Sequence, residues 1–136
     1  MKKIVSAVFL MTILLSACTN KKEETRAQFT KGISEFYNNR FESAIGLFTK
    51  VVEADPENAE AHYFRGSAWF NMKQYDKAIA DLDKAISIQP KYAEAYSTKG
   101  DILALLQKHD EACACWRKAQ ELGKPNLRDK LRRCYS

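Results

Sequence analysis

Small and large apolar residues recur along this chain with a period of 34 positions. Gly32, Gly66 and Gly100 form one such column, and Ala44, Ala78 and Ala112 form a second. Phe48, Leu82 and Trp116 make a column of large side chains, followed by Val51, Ala85 and Ala119. Pro56 and Pro90 share the spacing; the third place falls on Lys124, and Pro125 comes one residue late. Inside each period the apolar positions follow helical spacing, as in Ala61, Phe64, Ala68 and Met72, then Ala78, Ile79, Leu82, Ala85 and Ile86. This pattern predicts two helices per unit, over 25–38 and 41–54, 59–72 and 75–88, and 93–106 and 109–122.

The columns have physical roles. A glycine such as Gly66 lets the second helix of its unit approach closely, Ala78 does the same from the facing side, and Leu82 fills the space between. Pro90 ends its unit because it cannot continue a helix, while Asp55 and Asn58 supply turn and cap chemistry. Arg65 and Lys99 are 34 apart, and the expectation is that their stems cover the core while their charges reach water. A unit of this kind cannot bury its apolar face alone, so the units must stack and the last must be covered. Residues 125–136 fit a capping helix, with Leu127 and Leu131 one turn apart and Arg128, Lys130, Arg132 and Arg133 facing water.

Residues 1–17 read differently. Lys2 and Lys3 precede an apolar stretch from Ile4 to Leu15, too short to span a bilayer and suited to the core of an export signal. The stretch ends in Leu15-Ser16-Ala17-Cys18, which resembles the bacterial lipobox. The resemblance implies cleavage after Ala17 and a diacylglycerol thioether on Cys18, with fatty acyl (palmitate-type) chains holding the protein to a membrane. Residues 18–24 then form the lipidated cysteine and a polar tether. By resemblance to the sorting rule of enteric bacteria, Thr19 after the cysteine favours the outer membrane, facing the periplasm. Lys22-Glu23-Glu24 has a weak likeness to a surface-export signal.

The columns across residues 25–124 resemble the tetratricopeptide repeat (TPR). The resemblance implies an all-α, right-handed solenoid of three helix-turn-helix units, 25–58, 59–92 and 93–124, plus the capping helix of residues 125–136. It also implies that the first helix of each unit lines a concave groove where partner segments dock. Projected here, the lining comprises Arg26, Phe29, Ile33, Phe36 and Tyr37, then Glu60, Tyr63, Ser67, Phe70 and Asn71, then Glu94, Ser97, Asp101, Ala104 and Leu105. Some members of the family clamp a C-terminal carboxylate with basic and amide side chains. Those places correspond to Phe29, Ile33, Phe64, Glu94 and Thr98; none is basic, which argues against that ligand.

Composition narrows the function further. In 136 residues, 46% hydrophobic and 29% charged, the chain carries one domain's worth of core. The formal charge is +5, and removing Lys2 and Lys3 with the signal leaves +3, too little to argue for nucleic acid. His62 falls on a packing column and His109 opens the last unit's second helix; neither has the partners of a catalytic triad. The glycines form no phosphate loop, Asp81 and Asp83 form no metal loop, and no cofactor is implied. After Cys18 the chain keeps Cys113, Cys115 and Cys134; Cys113 and Cys115 face apart on one helix, and Cys134 could reach either. The expected function is therefore that of a membrane-tethered adaptor or scaffold holding another envelope protein. A pilotin-like assembly factor and a lipoprotein that forms homo-oligomers through its repeat ends are the alternatives.

Overall fold

A computed structural model describes the backbone of residues 2–134 and the side chains of residues 20–134. The export signal, Cys18 and the last two residues of the expected cap lie outside the side chains described. Among the described residues every regular element is a helix: α1 (Lys2–Tyr37), α2 (Phe41–Ala54), α3 (Ala59–Asn71), α4 (Tyr75–Ile88), α5 (Ala93–Leu105), α6 (His109–Glu121) and α7 (Arg128–Arg132). Among the same residues no helix is long and apolar enough to cross a membrane.

Helices α1–α2, α3–α4 and α5–α6 pair within units, and the pairs stack in chain order. The glycine and large-residue columns explain the pairing, because each glycine faces the large residue sixteen positions on. A Cβ on Gly32 would lie 2.8 Å from the Phe48 ring, one on Gly66 3.3 Å from Leu82, and one on Gly100 2.6 Å from Trp116. Ala44, Ala78 and Ala112 are fully buried beside them. The same column therefore sets the interhelical distance in all three units.

The turns inside the units repeat too. Asn39, Lys73 and Gln107, 34 residues apart, all take left-handed backbone conformations, with φ of 58°, 60° and 61°. Each closes its helix with a pair of backbone hydrogen bonds, such as Lys73 N–H to the Phe70 carbonyl and Gln74 N–H to the Trp69 carbonyl. This is the Schellman pattern, which satisfies the last carbonyls of a helix. Between units, Asn58 caps α3 by accepting from the Ala61 N–H at 2.9 Å.

Two expectations change. Residues 20–24, expected to be a tether, continue α1 as helix. They contain good helix formers and no glycine or proline, and Thr25 Oγ1 donates back to the Lys21 carbonyl at 2.9 Å. The cap is also shorter than expected, with α7 spanning only Arg128–Arg132. Leu127 and Leu131 are buried against Leu103, Cys113, Trp116 and Ala119, as the end of the stack requires. Cys134 is bonded to Cys113, with Cα atoms 5.7 Å apart, which ties the cap to α6 and leaves Cys115 free.

Candidate partner-binding groove

The expected groove residues lie on the first helices α1, α3 and α5, at different depths. In the first unit Phe29, Ile33 and Phe36 are half-buried, while Tyr37 is 71% exposed. Phe29 and Phe36 both meet Phe64, with ring centroids 6.2 and 5.6 Å apart, and Phe29 also meets Phe48 at 5.8 Å. These rings seal the first unit to the second as well as lining the groove.

In the second unit Tyr63 and Phe70 are half-buried and Asn71 is exposed. Tyr63 and Tyr92 lie 5.0 Å apart between ring centroids and form an aromatic floor between the second and third units. The Tyr92 hydroxyl is held well above the ordinary tyrosine pKa, first by burial and then by the negative potential of Tyr63, Glu60 and Glu94. Ser67 and Ser97 are only 6% exposed, so they sit beneath the groove surface where neighbouring first helices approach. In the third unit Asp101 accepts from Trp116 Nε1 at 2.9 Å and from Lys130 Nζ at 2.6 Å, so the cap engages it.

A cavity of about 620 Å³ opens at the end of the groove where α3 begins. Its floor includes Phe29 and Val51, with Lys22 and Arg26 on the α1 side and Asn58 and Glu60 on the other.

Sequence reasoning missed one polar cluster behind the groove. Arg65 donates to both carboxylate oxygens of Asp81, at 2.7 and 2.8 Å, and to Thr49 Oγ1 at 3.3 Å. His62 places Nδ1 3.2 Å from Asp81 Oδ1 and Nε2 3.0 Å from the Pro56 carbonyl. The Arg65 charge, expected to reach water, instead lies between α2 and α4. Lys99, one unit on, bonds Asp83 at 2.6 Å. Burial opposes the Lys99 charge, but the hydrogen bond to Asp83 and the negative charge of Asp83 together outweigh it and raise its pKa. The signal was available in the spacing: a side chain on this column faces positions sixteen before and sixteen after it. His62 is buried, and His109 begins α6 at the surface. Among the described residues no cluster of potential ligands could hold a metal ion.

Sequence models of the tetratricopeptide repeat match residues 29–93 and 93–123. The chain belongs to the tetratricopeptide-repeat family. No curated protein sequence matches it. Among solved structures, this TPR chain is similar to the first TPR of Spaghetti (RPAP3) bound to HSP90 peptide SRMEEVD, at 30% identity and a TM-score of 0.77, over 82% of this chain and 90% of that one. The first TPR domain of human RPAP3 matches at 30% identity and 0.75, over 81% and 88%. MamA matches at 27% identity and 0.74, over 86% of this chain and 67% of that one.

Proposed function

We propose that this TPR protein is a lipid-anchored adaptor of the bacterial envelope that holds a segment of another protein in its concave groove. The observation that carries the reading is the close ring pair of Tyr63 and Tyr92, next along α3 from Glu60, which itself lines the cavity of about 620 Å³ with Phe29 and Arg26. A few aromatic anchors inside a polar rim carry most of the binding energy in protein interfaces. The similar RPAP3 domain bound to an HSP90 peptide supports groove binding as a mode. It does not support the same ligand, because Phe29 and Phe64 at the corresponding places are packed ring to ring and Glu94 pairs with Lys124. The lipobox-like Leu15-Ser16-Ala17-Cys18 supports the anchor, and Thr19 after it supports an outer-membrane site.

Photo-crosslinking in the native envelope tests the groove. A photoreactive side chain in place of exposed Tyr37 should capture a partner, and one in place of Lys84 on the outer side should not. Replacing Tyr63 by Ala should weaken that capture by about 1–2 kcal/mol with helicity kept. Capture from Lys84 alone would sink the reading. For the anchor, Cys18→Ala should abolish labelling by a lipid precursor; a mutant that still labels removes the lipoprotein assignment.

A further inference from the structure

The chain's own tail rests on the third unit of the groove. Residues 124–134 carry five cations and one carboxylate. Lys130 Nζ touches both oxygens of Asp101, at 2.6 and 2.8 Å, and sits 5.8 Å from the centre of the Trp116 ring. Lys124 Nζ lies 3.5 Å from Glu94. Leu127 and Leu131 are buried between these contacts. Each acidic groove position of the third unit is thus met by a lysine from a basic, leucine-bearing segment.

The second unit offers the same chemistry. Glu60 lies 34 residues before Glu94, is exposed, and holds no ion pair among the described residues. Beside it Tyr63 and Tyr92 present a close pair of rings, 5.0 Å apart. A carboxylate next to aromatic faces attracts a cation twice, through its charge and through the ring quadrupoles. Across the same cavity Lys21, Lys22 and Arg26 line the α1 side, and Asp55 stands with Glu60 on the other.

Building on the groove reading, we infer that the second unit binds a lysine or arginine side chain from a basic segment of the partner, seated on Tyr63 and Tyr92 with Glu60 as counter-ion. The partner segment continues the run of lysines that the tail begins on the third unit. Its charge is opposite to that of the acidic SRMEEVD peptide bound by the similar RPAP3 domain.

The test selects from a displayed library of random peptides on the full chain, purified in detergent. Enriched sequences should be basic, and a synthetic peptide of the enriched sequence should bind about tenfold more weakly to Glu60→Gln. Glu60→Lys should shift the selection towards acidic sequences. Circular dichroism should be unchanged in both variants, since Glu60 is exposed. Enrichment of acidic or uncharged sequences, or indifference to Glu60→Gln, overturns the basic-segment inference and leaves the groove reading standing. No enrichment at all overturns both.

Discussion

Arg65 grips Asp81 from the neighbouring helix, with both carboxylate oxygens within 2.8 Å of the guanidinium, and His62 closes on the same carboxylate from the α3 side. Asp81 is buried. Its charge is tolerated there because two side chains bond it, and a buried ion pair that loses one partner leaves an uncompensated charge. Asp81→Ala should therefore cost about 3 kcal/mol in urea unfolding. Adding Arg65→Met should recover part of the loss, since the stranded cation goes. Equal loss in the single and double variants would show that packing, not charge, decides the site.

Ala78→Leu should be among the most damaging single changes. Ala78 is fully buried, and its carbonyl lies 3.1 Å from where a Cβ on Gly66 would be. The helices meet there backbone to backbone, and overpacking such a contact costs about 1–3 kcal/mol. A urea midpoint unchanged from the parent would contradict this.

Cys134→Ser should loosen the end of the stack. The disulfide closes a segment of 21 residues, and a loop of that size is worth about 3 kcal/mol. A cap helix of five residues is too short to persist by itself. Hydrogen exchange should speed up first in residues 127–133, with α3 and α4 little affected. Cys115 should not replace the lost partner, because burial raises its thiol pKa and keeps it protonated. Detection of a Cys113–Cys115 bond in the variant would count against that.

Stability should fall in alkali through Tyr92. Its folded pKa lies above the unfolded value of 10.0, so its contribution is complete below pH 10 and is lost as pH rises beyond it, when only the unfolded chain ionises freely. Tyr92→Phe should flatten the decline in melting temperature between about pH 10 and 11. A decline equally steep in the variant would place its cause elsewhere.

The six long helices were legible because small and large residues recur at a period that fits one helix pair. The expected 59–72 and the observed Ala59–Asn71 differ by one residue. The place of Tyr63 on a first helix was legible for the same reason, since register alone sets it. The buried role of Asp81 was missed although the spacing carried its signal. Its neighbours in sequence say only that it lies on a helix, and only the sixteen-residue relation between facing columns pairs it with Arg65, while His62 comes from nineteen residues away. Ser67 and Ser97 went beneath the surface because how closely the first helices approach depends on all three units at once. The helical run through residues 20–24 was missed because a polar stretch without an apolar face reads as a linker, even when nothing in it breaks a helix.

With Cys18 as the proposed anchor, that run of helix would make the link to the membrane a ruler and a compass. An extended tether would let the groove point anywhere, whereas a helix fixes both its height and its bearing. Each residue adds about 1.5 Å and rotates the rest of the domain by about 100°. If Cys18 is the anchor, as proposed, one alanine inserted after Lys22 should swing the groove about a quarter-turn around α1, away from a partner fixed in the same membrane. Four alanines should bring it nearly back, about 6 Å further out. Partner capture would then oscillate with the number of residues inserted, and a smooth decline would mean that the helix is not what orients the domain.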